Sequence, residues 1–272
     1  MKTVVCVIAR SEDAYINEWC HYHLDLGFEH IYLYDNNDPS DPYIGDFIDE
    51  EIKDKITIVN VQGQFGHRAQ TDWYIEFYEK YKNTFDWCAF FDVDEFLDLG
   101  GECNNNVNEF LAQDKFKNFE QIQIKWRMFG DDGVIERDMS IPVHEFFKIN
   151  NDAKEGPNAL LGKVIIRGGL PKLAFKSCHG DGEFKSCLPS GRGYPSIRYI
   201  LKYGKETVYL NHYRTKTLKE WLDTKFLRGN RIHSSTAVTP KSYFFKVNEW
   251  TQEKQDFLDK WLKEHNMTEP LY

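Results

Sequence analysis

The stretch Trp87–Phe96 constrains the fold of this sequence more than any other part. It opens with five apolar residues, Trp87–Phe91, which have the length and composition of a strand covered on both faces in an α/β sheet. Three carboxylates follow within four residues, at Asp92, Asp94 and Glu95. Because side chains at positions i and i+2 of an extended chain share a face, about 6.6 Å apart, the two aspartates should project together beyond the strand.

This Asp-x-Asp pattern predicts a metal site. Two carboxylates held close together repel each other, and a divalent cation between them turns that repulsion into attraction. A strand that ends in a solvated acidic turn would show the same pattern. The pattern follows the most hydrophobic strand, however, and ligand sites of open α/β sheets lie at the carboxyl ends of strands. We therefore predict that Asp92 and Asp94 bind Mn²⁺ or Mg²⁺.

Strand and helix patterns alternate through the first half of the chain, which is typical of an α/β fold with a mostly parallel, Rossmann-type central sheet flanked by helices. The apolar and polar residues of Glu120–Phe129 alternate, which predicts a half-exposed antiparallel strand at the sheet edge. The other predicted strands of this half are Val4–Ala9, His30–Tyr34, Ile56–Val61 and Trp87–Phe91. Three helices are predicted: one capped by Asp13, one near Tyr43 and one near Thr71.

The second half has less regular patterning. Residues 150–200 are rich in Gly and Pro and predict loops around a short strand at Lys163–Arg167. A last strand at Val208–Arg214 precedes a capping box, Thr217-Leu218-Lys219-Glu220, and a final helix is predicted near Glu249–His265. We expect an α/β part over residues 1–150 and a loop-rich, helical part over residues 151–272, within the same compact domain.

The net charge of −9 conceals a strong asymmetry. Residues 1–153 carry a net charge of −18, whereas residues 154–246 carry +12. An acidic front half suits a bound cation, and a basic back half suits phosphate or an anionic acceptor, although two solvated faces would show the same charges.

The cysteines and the apolar runs indicate a cellular compartment. Six irregularly spaced cysteines fit reduced residues packed as small hydrophobic groups, as expected in the cytosol. No apolar run approaches the 18 residues of a membrane span, and the short run before Arg10 is too short for a signal peptide. We expect a cytoplasmic protein, with association at the inner face of the membrane left open, and no nucleic-acid partner.

Five segments combine into a pattern that is more specific than Asp-x-Asp alone. They are Asn17-Glu18-Trp19-Cys20-x-Tyr22-His23 with Gly27, Tyr34-Asp35-Asn36, Asp92-Val93-Asp94-Glu95-Phe96, Trp126-x-x-Phe129-Gly130 and Asn211-His212-Tyr213. Together they resemble the bacterial relatives of glycosyltransferase families 2 and 92, in order from about residue 4 to residue 230. The resemblance implies a GT-A fold and a nucleotide-sugar donor, usually a UDP-sugar, with Mn²⁺ or Mg²⁺ bridging the diphosphate to the aspartates.

The resemblance further implies a hexosyltransferase of bacterial polysaccharide biosynthesis that acts, with inversion, on a glycan or lipid-linked acceptor. His212 would be a third metal ligand beside Asp92 and Asp94, and His179 is its rival. A local ion pair is the alternative role for the residues that follow strand one. The predicted nucleotide-binding residues are Arg10, Glu12, Asp35 and Asn36 at the base and ribose, Arg68 and Gln70 closing over the nucleotide, and Arg214 and Lys216 at the diphosphate.

The catalytic base is predicted among carboxylates, because an inverting transfer needs a group that takes the acceptor proton. Asp131 and Asp132 follow the strand at Glu120–Phe129, although a turn explains them equally well. Glu95 is a further candidate, and Asp181 and Glu183 also stay open.

Two other functions compete with glycosyl transfer. A sugar-phosphate nucleotidyltransferase commonly carries a glycine-rich basic loop after strand one, but Arg10-Ser11-Glu12-Asp13 contains neither glycine nor lysine. A non-catalytic carbohydrate-binding protein would suit the 15% aromatic content, yet paired carboxylates on a parallel α/β core are unusual for it.

Overall fold

The structure is a computed structural model that describes residues 1–64, 66, 68–147, 162–173, 175, 178–180, 182–193, 206–227, 244 and 247–267. The chain forms two compact units. The first combines Met1–Arg127 with Pro157–His212, and the second combines Met128–Gly156 with Tyr213–Tyr272. This division differs from the boundary at residue 150, because the last strand belongs to the first unit.

The first unit is built on a central sheet, in which the described residues form nine strands. They are β1 (Thr3–Ala9), β2 (His30–Asp35), β3 (Ile56–Asn60), β4 (Trp87–Phe90), β5 (Glu95–Asp98), β6 (Gln121–Met128), β7 (Gly162–Arg167), β8 (Ser186–Cys187) and β9 (Tyr209–His212). Their order is β3-β2-β1-β4-β7-β6-β9-β5, with β8 beside β6. Strands β1 to β4 are parallel, whereas β7 is antiparallel to β4 and β6, and β5 is antiparallel to β9.

Helices accompany the sheet in the order that the sequence predicts. The described helices are α1 (Asp13–Asp25), α2 (Ala69–Tyr81), α3 (Val107–Leu111), α4 (Val143–Phe146), α5 (Leu218–Trp221) and α6 (Gln252–Glu264). Short 3-10 helices occur at Ile44–Phe47, Glu50–Lys55, Glu102–Asn105 and Asp114–Phe116, and α5 continues as a π-helix at Leu222–Phe226. The predicted α/β class, with a mostly parallel sheet flanked by helices, is confirmed. None of the described helices has the length and apolar character needed to cross a membrane.

Helix α2 packs on the sheet through aromatic side chains. Its buried residues Tyr74, Phe77 and Tyr78 recur at helical spacing and therefore lie on one face. The Phe77 ring lies 4.8 Å from that of Tyr32 on β2, and the Tyr74 ring lies 4.9 Å from that of Phe90 on β4. This aromatic layer buries β4, the strand that precedes the three carboxylates of Asp92, Asp94 and Glu95, which we call the acidic motif.

Strand β6 corrects the prediction of a half-exposed strand at the sheet edge. It lies inside the sheet, between β7 and β9, and Gln121–Lys125 are buried. The polar residues tolerate burial because neighbouring strands provide partners. Gln121 donates a hydrogen bond to Ser186 Oγ (2.9 Å), and Gln123 donates to the carbonyl of Lys163 (3.2 Å). Alternation therefore marked two buried faces of unlike chemistry rather than one buried and one solvated face.

Two predictions near the start of the chain also need correction. The helix expected near Tyr43 is a pair of 3-10 helices. The residue before α1 is Glu12, and its side chain makes no capping hydrogen bond. Asp13, which was predicted as the cap, instead accepts a hydrogen bond from Asn37 Nδ2 (2.9 Å). This carboxylate therefore holds the loop after β2.

In the second unit, the predicted capping box at Thr217 is confirmed. The Thr217 hydroxyl accepts from the backbone N–H of Glu220, and the Glu220 carboxylate accepts from the backbone N–H of Thr217. Glu220 also pairs with Arg137 at 2.9 Å, with side-chain exposures of 6% and 1%. Burial alone would raise the pKa of Glu220, but the hydrogen bonds and charge of Arg137, together with Thr217, lower it.

Replacing Glu220 with Gln should lower the free energy of unfolding of the second unit by roughly 2–4 kcal/mol at pH 7, because Arg137 loses its buried counter-ion. The pKa of Glu220 is lower in the folded protein than in the unfolded chain, where it is about 4.3. The ionised carboxylate therefore contributes its full stability above the unfolded pKa, and this contribution is lost as the pH falls through the folded pKa. Urea unfolding from pH 7 to pH 3 should therefore show the gap closing. A gap that is constant with pH, or equally large in the exposed control Glu264→Gln, would contradict this expectation.

Candidate active site

The carboxyl ends of the parallel strands collect most of the predicted site residues of the first unit at one edge of the sheet. Ala9 on β1 is in register with Asp35 on β2, which is in register with Asn60 on β3. Strand β4 ends at the same edge, one residue before Phe91 and the acidic motif. Because parallel strands point their carboxyl ends the same way, Arg10, Asp35 and Asp92 follow neighbouring strands at this edge.

The acidic motif is a tight link between two strands. β5 begins at Glu95, the last carboxylate of the motif, and this strand was absent from the sequence prediction. The backbone N–H of Glu95 donates to the carbonyl of Asp92 (3.1 Å), and the backbone N–H of Asp92 donates back to Glu95 Oε2 (2.8 Å). These reciprocal bonds fix the backbone from which the carboxylates of Asp92 and Asp94 project.

Asp94, Glu95 and His212 form a group that could hold a metal ion. One ligand atom from each lies within 4.8 Å of the others, and all three residues are buried. The antiparallel pairing of β5 with β9 sets Glu95 opposite His212 and brings His212 Nε2 to 3.4 Å from Asp94 Oδ1. The structure thus brings together two of the predicted metal ligands, Asp94 and His212, with a third carboxylate that the sequence placed among the base candidates.

Glu95 is fully buried, and both of its carboxylate oxygens accept hydrogen bonds. Oε1 accepts from the indole of Trp126 (2.7 Å), and Oε2 accepts from the backbone of Asp92. Burial raises the pKa of Glu95 well above its ordinary value, the charges of Asp92 and Asp94 add to the rise, and Lys163 opposes it. The role of Glu95 as a catalytic base stays a prediction. Its hydrogen bonds fix the orientation of its carboxylate.

Each carboxylate oxygen of Asp92 has a polar partner. Gln70, at the start of α2, donates to Oδ1 (2.6 Å), and Lys163 on β7 lies 2.8 Å from Oδ2. Lys163 is fully buried. Burial would lower the pKa of Lys163, but the carboxylates of Asp92 and Glu95 outweigh it and raise that pKa. Lys163 was not among the predicted site residues, although a lone lysine in the apolar run of β7 was an available signal.

His179 lies near this group without joining it. Its Nδ1 is 3.0 Å from the carbonyl of Gly162, and burial followed by the charge of Lys163 lowers its pKa. The indole of Trp126 lies beside both histidines, with ring centroids 4.7 Å from His212 and 5.3 Å from His179. Of these two histidines, His212 contributes a ring nitrogen to the group formed with Asp94 and Glu95.

The residues predicted to line the base and ribose organise the loops after β1 and β2. Arg10 forms an ion pair with Asp38 (3.3 Å), and buried Glu12 accepts backbone hydrogen bonds at the start of α1. Asp35 is buried and accepts from the backbone N–H groups of Asn37 and Ile44 and from Gln62 Nε2. Asn36 donates to the carbonyls of Val61 and Gln64. Their nucleotide contacts stay predictions.

Arg68 precedes α2 and is half exposed. Its guanidinium pairs with Asp72 (3.4 Å) and donates to the carbonyl of Phe175 (3.4 Å). Glu183, one of the alternative bases, is exposed, whereas Asp181 lies outside the described residues.

The remaining predicted residues belong to the second unit. Asp131 is buried, pairs with Lys254 at 2.5 Å and accepts from the backbone of Gly133, which is the turn that the sequence left open. Asp132 is exposed, with a left-handed φ of 52°. Lys216 is buried, and the backbone carbonyl of Arg214 accepts from Lys225 Nζ (2.6 Å). The catalytic and diphosphate roles of these residues stay predictions.

Comparisons with known proteins show what this chain is similar to. The model of glycosyltransferase family 92 matches residues 2–255. A glycosyltransferase family 92 protein of Ricinus communis is 25% identical over 130 residues, which cover 48% of this chain and only 23% of that relative's length. Among solved structures, the galactosyltransferase LgtC in complex with donor and acceptor sugar analogues aligns over 93% of this chain and 99% of its own, with 10% identity and a TM-score of 0.30.

Proposed function

The chain belongs to glycosyltransferase family 92, and from this premise we propose that it moves a sugar from a UDP-sugar donor to a hydroxyl group of an acceptor. The proposed acceptor is a glycan or a glycolipid. The proposed transfer inverts the anomeric configuration and depends on a divalent metal ion. The observation that carries the proposal is the buried group of Asp94, Glu95 and His212 at the carboxyl edge of the sheet. Ligand sites of open α/β sheets lie at this edge.

The donor atoms of this group fit a metal ion such as Mn²⁺. Two carboxylates and one imidazole are ligands that Mn²⁺ accepts, and each carboxylate oxygen of Glu95 keeps a second lone pair beside its hydrogen bond. We assign Asp94, Glu95 and His212 as the residues that would hold the ion. When bound, the ion would stabilise the negative charge that develops on the nucleoside diphosphate as the glycosidic bond breaks.

The chain's own residues orient this site. Trp126 and the backbone of Asp92 fix the Glu95 carboxylate, and the pairing of β5 with β9 fixes His212 relative to Asp94. Burial of the carboxylates keeps water from screening their charge, so the attraction for a cation is strong. The site thus has a preformed ligand set, which supports metal-dependent binding of a diphosphate.

The acceptor hydroxyl requires a proton acceptor, for which the carboxylates of Asp131, Asp132 and Glu95 stay the proposed candidates. The carboxylate of Asp131 is buried and already paired with Lys254, so its charge is neutralised within the second unit. Asp132 is exposed and carries its carboxylate on a strained, left-handed backbone.

A panel of nucleotide sugars, each with a saccharide acceptor and with or without Mn²⁺, tests the proposed function. We expect free UDP and a glycosylated acceptor from at least one UDP-sugar, with the rate falling at least tenfold when Mn²⁺ is removed. Release of pyrophosphate would instead identify a nucleotidyltransferase. Binding of saccharide without turnover of any donor would identify a carbohydrate-binding protein.

A further inference from the structure

A lysine ammonium group is enclosed next to the acidic motif. Lys163 on β7 has no exposed side-chain surface, and its Nζ lies 2.8 Å from Asp92 Oδ2. Lysine is among the residues least often fully buried, and it is almost always paired when it is. The charge of this buried ammonium group is therefore balanced by the carboxylates around it.

The sheet itself carries Lys163 to the motif. Strand β7 runs antiparallel to β4 with Phe90 opposite Val164, so the residue before Val164 lies level with the chain just after Phe90. Gly162 permits this approach on the other side. A Cβ atom at Gly162 would lie 1.8 Å from the carbonyl oxygen of Ile124 on β6, which no other residue could tolerate. Glycine therefore allows the start of β7 to pack closely against β6, so that Lys163 lies beside the acidic motif.

The contacts of Asp92 distinguish it from Asp94. Both oxygens of Asp92 already have strong partners, Gln70 at 2.6 Å and Lys163 at 2.8 Å. Asp94, by contrast, belongs with Glu95 and His212 to the group of converging ligand atoms. The two aspartates of the Asp-x-Asp pattern therefore have different surroundings, one against a protein cation and one in the ligand group.

We infer that Lys163 is a positioning residue that acts as the resident counter-cation of the motif: it holds Asp92 in place and balances its charge in the metal-free protein, leaving Asp94, Glu95 and His212 to receive the divalent ion. The part of this inference that concerns the ion rests on the proposed function. Removal of the ammonium group would release Asp92 Oδ2 and leave the site with one more net negative charge. Both changes strengthen its attraction for a divalent cation.

The first test measures thermal unfolding without metal in Lys163→Met, Asp92→Asn and the double variant. Asp92→Asn leaves the buried ammonium group of Lys163 without its counter-ion and should lower the Tm by about 5 °C or more. Lys163→Met leaves Asp92, whose side chain is 33% exposed, and should lower the Tm by a smaller amount. The double variant removes both charges and should recover at least half of the summed loss. The control Lys53→Met breaks an exposed ion pair with Glu50 and should leave the Tm unchanged. Additive losses in the double variant would overturn the pairing.

The second test titrates the same proteins with Mn²⁺ alone by calorimetry. Lys163→Met should bind Mn²⁺ at least about tenfold more tightly than the unchanged protein, and the double variant should return toward the original affinity. A lower Tm with unchanged or weaker Mn²⁺ binding would reduce Lys163 to a structural ion pair and overturn the counter-cation role.

The two tests separate this inference from the proposed function. If no protein in the series binds Mn²⁺, the proposed metal dependence fails, and the metal-free unfolding cycle alone decides whether Lys163 positions Asp92. If Lys163→Met does not fold, Asp92→Asn and the double variant still decide it. A double variant more stable than Asp92→Asn supports the pairing, and one that is less stable contradicts it.

Discussion

Replacement of Asp94 by Asn is expected to abolish Mn²⁺ binding and to lower kcat/KM for the nucleotide sugar at least a thousandfold, which corresponds to about 4 kcal/mol of transition-state stabilisation. Asp94 is buried, and its Oδ1 lies 3.4 Å from His212 Nε2 within the ligand group. Asparagine has almost the same shape but no charge, so the group loses much of its attraction for a cation while its packing is kept. Calorimetry with Mn²⁺, with and without UDP, and donor kinetics measure the two effects.

A matched control lies on the same strand. Asp98→Asn also converts a carboxylate of β5 to an amide, but Asp98 pairs with Arg127 at 2.9 Å in a partly exposed ion pair. We expect its Mn²⁺ affinity and kcat/KM to stay within about twofold of the unchanged protein. Unchanged Mn²⁺ binding in Asp94→Asn would contradict the metal assignment. A large fall in Tm for that variant would instead attribute the loss to unfolding.

Replacement of His212 by Ala is expected to weaken Mn²⁺ binding ten- to a hundredfold, or about 1.4–2.8 kcal/mol, because one of the three proposed ligands is removed while the carboxylates remain. His179→Ala provides a matched comparison, since both imidazoles lie beside the indole of Trp126. Loss of either ring opens similar space, so a difference in Mn²⁺ affinity isolates ligation from packing.

For His179→Ala we expect normal Mn²⁺ affinity and a higher KM for the acceptor. Steady-state kinetics with the acceptor varied, at saturating donor and Mn²⁺, would measure the second effect. A normal Mn²⁺ titration in His212→Ala together with an impaired one in His179→Ala would show that the two histidines have been assigned the wrong way round.

The sequence alone determined the local elements and the chemistry at their ends. The apolar run at Trp87–Phe91 predicted a buried strand, and β4 is one. The helix predicted near Thr71 and the capping box predicted at Thr217 are both present in the structure. These features follow from periodicity and capping, which depend on residues close together in the chain. The family resemblance rested on the same short segments, and the match over residues 2–255 confirms it.

The tertiary structure decided which residues share the site. The sequence marks Lys163 only as a lysine within an apolar strand, and the pairing of β7 with β4 brings its ammonium group to Asp92. The sequence placed Glu95 among the candidate bases, and the pairing of β5 with β9 buried it beside His212. Side-chain periodicity specifies the face of a strand, but not the strand that becomes its neighbour. That choice depends on the order and direction of strands distant in the sequence, and it brings a cation to Asp92 and a histidine to Asp94.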